Sequence, residues 1–341
     1  MSRWNRLTFV LFALGAIAYV RPLPAADNEA IEWLGECRLH RTSLADARKH
    51  LGAADLFTRA MSPFDRMSRL GRDADPGDEA IRQFAAEQAE AWSDADWLKI
   101  TQAAGSLKKR LESLPKLPWP RDIQFIATTG REEGEAAYCR GPAVILPSKV
   151  VGRSAESLER LLAHELFHVL SNQNEKWRER LYAIVGFQPC GNIELPPDLA
   201  ARKITNPDGA LVAYALPLEV DGQVIDAAPI LLSTAERFDP QQGGSFFRYL
   251  QFRLLVVERD AARGTWRPVL QDGRPRLLDP QKTPAYLERI GGNTTYIIHP
   301  DEILADNFVH LVFRTPNLRS PKLIEQLQAT LTLPFDAPPR P

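Results

Sequence analysis

Two histidines and a glutamate stand together in an otherwise apolar stretch, "LLAHELFHVL" at 161–170. His164 and His168 are four positions apart, and Glu165 follows the first histidine. A helix places residues at this spacing on one face, so the two imidazole rings converge. Two such rings can bind one zinc ion through nitrogen, and the carboxylate beside them can act as general base towards a water molecule. The alternative is an amphipathic helix whose half-buried histidines make only local hydrogen bonds.

A third ligand is needed, because a catalytic zinc usually takes three from the protein. One metallopeptidase pattern places a glycine three residues and a histidine six residues after the second histidine. This sequence has Ser171 and Asn174 at those positions, so that pattern is excluded.

A second candidate segment, "HPDEILADNF" at 299–308, lies far downstream. Glu302 and Asp306 are four apart, so a helix presents both carboxylates on one face. Glu302 is the candidate third ligand. Asp306 can accept the free N–H of a zinc-bound histidine and so orient its ring. Three neighbouring residues are rival ligands: Asp301, His299 and His310.

The segments H-E-L-F-H and E-I-L-A-D together resemble the gluzincin metallopeptidases, which include thermolysin-like and neprilysin-like enzymes. The pattern of that group is H-E-x-x-H with a downstream E-x-x-x-D, often E-x-x-A-D. The resemblance implies that His164, His168 and Glu302 bind one Zn²⁺ ion. It also implies that Glu165 is the catalytic base and that Asp306 is the hydrogen-bond partner of a zinc-bound histidine.

Hydrolysis also needs a hydrogen-bond donor to the oxyanion that develops on the substrate. Tyr296 is the first candidate, because it lies just before the segment that contains Glu302. His299 and Tyr182 are the alternatives.

Short apolar runs and capping residues predict the elements around the motif. Strands are expected at 123–129 and 143–147. Ser154 is the expected N-cap of a helix that runs to about Asn172 and carries the motif. Another helix is expected to begin at Pro300. On the family resemblance, an edge strand ahead of the motif helix binds the substrate backbone, and 143–147 or the segment ahead of it would supply that strand.

The chain as a whole is predicted to be α+β, with a zincin-like catalytic domain built from a small sheet and an active-site helix. Residues 27–115 repeat apolar residues at helical spacing and are expected to form a helical N-terminal region. Residues 116–341 are expected to be the catalytic region, with an antiparallel β-rich insertion at about 205–280. The Asp-Gly pair at 221–222 predicts a hairpin in that insertion, and 246–259 is predicted to be a strand.

The first residues predict export. Arg3 and Arg6 precede an uncharged apolar run at 7–20, which is short for a membrane span. We therefore expect a signal peptide at 1–26 and a periplasmic or extracellular location, with an uncleaved membrane anchor as the alternative.

Export would permit a disulfide bond. The cysteines are Cys37, Cys139 and Cys190, so one pair would leave one thiol over, and the sequence does not select the pair.

A net charge of −1 gives no reason to expect a nucleic-acid partner. No stable membrane span is expected after removal of the signal peptide. The leading hypothesis is an exported zinc-dependent peptidase that acts on peptide or protein substrates. The alternatives are a zinc hydrolase of a non-peptide or cell-wall amide, and a non-enzymatic exported binding module with a vestigial site.

Overall fold

The computed structural model describes residues 29–334, which form a mixed α+β architecture. The signal peptide predicted at 1–26 lies outside these residues. The helices are α1 Leu44–Leu51, α2 Leu56–Ala60, α3 Pro63–Leu70, α4 Gly77–Glu87, α5 Asp94–Leu111, α6 Ser148–Val151, α7 Ala155–Asn172, α8 Glu175–Ile184, α9 Pro197–Arg202, α10 Pro284–Ile290, α11 Pro300–Phe313 and α12 Pro321–Leu331. The strands are β1 Ala30–Glu32, β2 Arg38–Arg41, β3 Ala89–Glu90, β4 Asp122–Thr128, β5 Tyr138–Arg140, β6 Ala143–Pro147, β7 Gln188–Pro189, β8 Tyr214–Val220, β9 Gln223–Ser233, β10 Leu250–Asp260, β11 Thr265–Pro268, β12 Leu270–Gln271, β13 Arg274–Pro275 and β14 Leu277–Leu278.

The first sheet lies ahead of the motif helix in the chain and has the order β1-β2-β4-β6-β5, with β3 also paired to β4. Strands β2, β4 and β6 are parallel, whereas β5 runs antiparallel to β6 at the edge. Strand β6 is buried throughout, as its apolar sequence "AVILP" requires of a strand covered on both faces. Of the two segments expected to supply the edge strand, 143–147 does not lie at the edge, because β5, the segment ahead of it, covers that side.

The N-terminal region contributes strands as well as helices. In the part of this region that the structure describes, α1 to α5 agree with the helical prediction for 27–115, but the prediction missed β1, β2 and β3. These strands are two to four residues long, too short to show an alternating pattern. Because β2 pairs with β4 and α5 packs against α7, this region completes the same sheet and core that position the motif.

Helix α7 carries the H-E-L-F-H motif and has the predicted bounds. The side chain of Ser154 accepts a hydrogen bond from the backbone N–H of Ser157, which satisfies one donor at the first turn. The apolar face of the helix is fully buried, and each of these side chains stabilises the fold by about 1.5–3 kcal/mol. The residues on that face are Leu158, Leu162, Leu166, Val169 and Leu170. The helix is thereby fixed between the sheet and helices α5 and α11.

The predicted β-rich insertion is confirmed as a second antiparallel sheet, ordered β11-β10-β9-β8-β7 with β14 also paired to β10. Asp221 and Gly222 form the β8–β9 turn with positive φ at both residues, the conformation for which Asp-Gly is suited. The strand predicted at 246–259 begins only at Leu250, because Phe246 to Tyr249 form a 3₁₀ turn. That turn buries Phe246 and Tyr249 in an aromatic cluster with residues of α3.

The three cysteines are buried free thiols, so no disulfide links them. Within 29–334, no helix combines the length and apolar character that crossing a bilayer would require.

Candidate metal centre

Three potential ligand atoms from α7 and α11 converge on one point. The Nε2 atoms of His164 and His168 lie 3.1 Å and 3.3 Å from the same oxygen, Oε2 of Glu302. All three ligand atoms are within 4.8 Å of one another. His168 and Glu302 are buried, and His164 is partly exposed to the cleft described below. The structure thus brings together the three residues that the sequence selected as ligands.

The other ring nitrogen of each histidine is bound by a carboxylate. Nδ1 of His164 lies 3.0 Å from Asp306, as predicted, and Nδ1 of His168 lies 2.6 Å from Asp301. An ionised carboxylate can only accept, so each Nδ1 carries a proton and Nε2 is the ring nitrogen that faces Glu302. These partners fix the tautomer and the orientation of both rings.

This donor set fits a zinc ion. Two imidazole nitrogens and one carboxylate oxygen are ligands that a catalytic zinc site uses, leaving one position for water. The two Nε2 atoms lie so close to Oε2 of Glu302 that positive charge, from protons on the rings or from a bound metal ion, must lie among them. The geometry and chemistry of His164, His168 and Glu302 therefore match the zinc ligand set that the sequence indicated.

The electrostatics of the cluster favour positive charge. Burial alone would lower the pKa of His164, but its hydrogen bonds to Asp306 and Glu302 outweigh burial and raise the pKa to about 10. Burial would also lower the pKa of His168, but Asp208, Glu302 and Asp301 raise it well above its usual value. The pKa of Glu302 is far below its usual range, because the two histidines outweigh its burial.

Glu165 lies beside this cluster as the motif predicts. Its side chain is 3 % exposed, and burial raises its pKa, with the Glu302 charge adding to that effect and the two histidines opposing it. Oε2 accepts a hydrogen bond from the thiol of Cys139 on β5 at 3.4 Å. A carboxylate with a raised pKa next to the ligand atoms is suited to accept a proton from water and to release it again.

Glu302 and Glu165 also have neighbours from the segment 206–209, which follows α9. Nδ2 of Asn206 donates to Oε1 of Glu302 at 2.7 Å, which leaves Oε2 facing the histidines. Asp208 is buried, and one of its oxygens accepts the backbone N–H of Cys139 at 2.9 Å. Its ligand atom lies within 4.8 Å of those of Glu165 and Cys139.

The three candidates for the oxyanion donor differ in their contacts and in their exposure to the cleft. Tyr296 stacks on the ring of His164, with centroids 6.1 Å apart, and is 42 % exposed in the cleft. Tyr182 donates its hydroxyl to Asp301 at 2.8 Å and is buried. His299 caps α11, its Nδ1 accepting the backbone N–H of Asp301. Only Tyr296 among the three has its ring against a ligand and its surface in the cleft.

The rival ligands do not reach the converging point. Asp301 binds the far nitrogen of His168 and also accepts from Ser171 at 2.5 Å. His310 bonds to Thr315 and to the backbone oxygen of Asn293.

A cleft of about 460 Å³ opens over the site. Besides the residues of the cluster and Tyr296, its lining includes Ala136, Ala137, Arg153, Ser157, Arg160 and Asp208. Asp208 also lines a second cavity of about 530 Å³ with His299 and Tyr214, so the segment 206–209 forms the wall between the two. The cleft is within the size range of small-molecule and peptide-binding pockets.

In comparisons with known proteins, no family model, no curated protein and no solved structure matches this chain.

Sequence reasoning missed four residues of this site or assigned them another role. Asp301 was considered only as a rival ligand, although its position next to Glu302 placed it on the right helix. Asn206 and Asp208 stand in N-P-D-G, whose composition indicates a turn but carries no information on its distance from the motif. No sequence signal places the thiol of Cys139 near Glu165.

Proposed function

We propose that the protein is a zinc-dependent peptidase. The observation that supports this most strongly is the convergence of His164, His168 and Glu302, with the buried carboxylate of Glu165 beside them. In that arrangement, a zinc ion supplies a Lewis acid that polarises the substrate carbonyl and lowers the pKa of a coordinated water to about 7.

Residues of the chain supply the general base, the oxyanion donor and the groups that orient the histidines. Glu165 accepts a proton from the attacking water and passes it to the nitrogen of the leaving amine as the peptide bond breaks. Tyr296 is the donor to the developing oxyanion, because its ring lies against His164 at the cleft. Asp306 and Asp301 keep the two imidazole rings in one orientation.

The strand arrangement supports a zincin-like catalytic fold and a peptide substrate. Strand β5 lies at the edge of the first sheet, ahead of α7, and Ala137 next to it lines the cleft. An extended peptide can add to such an edge through backbone hydrogen bonds. The apolar run at 7–20 with Arg3 and Arg6 before it supports export as the place of action.

The variant Glu165→Gln tests the mechanism. We expect it to keep one zinc ion per chain, because Glu165 is not a ligand, and to lose peptide hydrolysis by about a hundred- to ten-thousand-fold. Zinc content is measured by plasma emission spectroscopy. Hydrolysis is measured with a mixed panel of peptides. Glu156→Gln, which removes an exposed carboxylate from the same helix, is the control. Full activity in Glu165→Gln would exclude this role for Glu165.

A further inference from the structure

The segment 206–209 closes one end of the cleft. The backbone N–H of Cys139 on edge strand β5 donates to Oδ1 of Asp208 at 2.9 Å. Because Asp208 lines both the cleft and the cavity beyond it, the segment stands across the path that a peptide along β5 would follow.

This contact limits how far a peptide strand can extend. Alternate residues of an edge strand turn their backbone groups to the free side, so Ala137 and Cys139 share that side. Ala137 lines the cleft, whereas the N–H of Cys139 is already bound to Asp208. A peptide paired with Ala137 must therefore end before Cys139.

The wall is anchored at several points. Asn206 is bonded to Glu302, and the backbone N–H of Thr205 donates to buried Asp65 at 3.1 Å. The backbone of Gly209 packs against the ring of His299, so closely that an added Cβ would come within 2.6 Å of ring atoms. The segment is thus held in place by contacts with α3, α11 and His299.

The closed end carries the carboxyl group of Asp208, whose second oxygen is open to a partner. Asp208 is 7 % exposed, and within 29–334 its second oxygen has no hydrogen-bond partner. The carboxylate lines the cleft within 4.8 Å of the carboxylate of Glu165. Burial and the charges of Glu302 and Glu165 raise the pKa of Asp208, and His168 opposes them, so a cation bound at the second oxygen would stabilise the ionised form.

The opposite end of the cleft has the opposite charge. Arg153 and Arg160 line it towards the N-terminal end of α7, and Arg160 also pairs with exposed Glu156 at 3.1 Å. The cleft therefore has a carboxylate at its closed end and guanidinium groups at its open end, a polarity that orients a peptide with its amino terminus at Asp208.

We propose that Asp208 binds the α-ammonium group of the substrate, which makes the protein an aminopeptidase. This inference rests on the peptidase function proposed above. The α-nitrogen of a residue lies about 2.5 Å from its own carbonyl carbon, as the standard backbone bonds require. An ammonium group on Asp208 therefore places the first peptide bond, and no later one, beside Glu165.

The reaction releases one amino acid in each turnover. Water adds its oxygen to the carbonyl carbon of the first residue, the bond from that carbon to the next nitrogen breaks, and that nitrogen gains the proton. The products are a free amino acid and a peptide with a new amino terminus.

The test compares tetra-alanine with its N-acetylated form. Binding is measured by calorimetry on the zinc-loaded Glu165→Gln protein, and cleavage by mass spectrometry of the products of the wild-type protein. We expect the free amine to bind about ten- to a hundred-fold more tightly than the acetylated form, and free alanine to be the first product. In the Glu165→Gln background, Asp208→Asn should abolish the binding preference, whereas Glu135→Gln, at an exposed carboxylate near β5, should keep it.

Each result bears on a separate claim. Equal binding of the two peptides, or cleavage at an internal bond of the acetylated one, would overturn the aminopeptidase inference and leave the peptidase function intact. Two zinc ions per chain, one of them lost in Asp208→Asn, would place a metal on Asp208 instead. Failure of the wild-type protein to cleave any peptide would contradict the proposed function and, with it, this inference.

Discussion

The two histidines of the motif are oriented by carboxylates in different surroundings. Asp301 is fully buried and accepts hydrogen bonds from Ser171 and Tyr182 in addition to its contact with His168. Asp306 is partly exposed. Besides its contact with His164, it accepts a hydrogen bond from Thr294. The ring of His168 is therefore the more firmly fixed of the two ligands.

Asp301→Asn is expected to lower zinc affinity by about ten- to a hundred-fold, because the neutral amide oxygen is a weaker acceptor for Nδ1–H of His168 than the carboxylate. Asp306→Asn should have a smaller effect in the same direction, since its site is more solvated. Affinity is measured by competition with a chromophoric chelator. Asp198→Asn, at an exposed position on α9, is the control. Unchanged affinity in Asp301→Asn would show that the contact does not orient the ligand.

The sequence was most informative for residues that one helix brings together. His164, Glu165 and His168 follow from spacing within α7, and Glu302 with Asp306 from spacing within α11. Which of the adjacent carboxylates 301 and 302 faces the Nε2 atoms, and which faces Nδ1 of His168, depends on how α11 is rotated against α7. That rotation is set by tertiary packing, so the role of Asp301 could not be predicted.

At the scale of elements, the N-terminal helix α3 positions the wall of the cleft. Asp65 on this helix accepts from the backbone N–H and the hydroxyl of Thr205, just before the segment 206–209. Arg69, one turn later, pairs with Asp65 and Glu133 and donates to the backbone oxygen of Thr205. The N-terminal region is thus needed for the geometry around Asn206 and Asp208.

Elements with strong local signals were predicted well, and those formed by long-range pairing were not. Helix α7 has a serine cap and a leucine face, and the β8–β9 hairpin has its Asp-Gly turn. Strand β5 is only three residues long, in a glycine- and charge-rich stretch, and it becomes a strand because β6 offers a free edge. No local sequence pattern identifies β6 as the partner of β5.

At the scale of the whole molecule, one buried acid makes stability depend on pH. Glu132 follows β4, and its Oε2 atom has no hydrogen-bond partner among the residues described. Burial raises its pKa from 4.5 to about 7. The folded state therefore favours the neutral form, so the cost of ionising Glu132 is absent below pH 4.5, grows up to pH 7 and is constant above it.

Glu132→Gln is expected to remove this cost. Its free energy of unfolding should exceed that of the wild-type protein by on the order of 3 kcal/mol above pH 7, and the difference should vanish towards pH 4.5. Urea unfolding across that range measures it, with Glu135→Gln as the exposed control. A difference that does not vary with pH would contradict the assignment.

The overall α+β architecture and the β-rich insertion could be predicted from composition and turn signals. The joining of β1, β2 and β3 to the first sheet could not, because β2 and β3 pair with β4 far along the chain and β1 joins only through β2. The candidate site depends on the same long-range assembly, since its residues come from β5, α7, the segment 206–209 and α11.

The central claim is that one zinc ion is bound by two histidines and a glutamate. Anomalous diffraction at the zinc edge, on crystals grown with zinc, tests it most directly. We predict one strong peak, about 2.0–2.1 Å from Nε2 of His164 and of His168 and about 2.0–2.2 Å from Oε2 of Glu302. A peak elsewhere, or none within bonding distance of Glu302, would contradict the account.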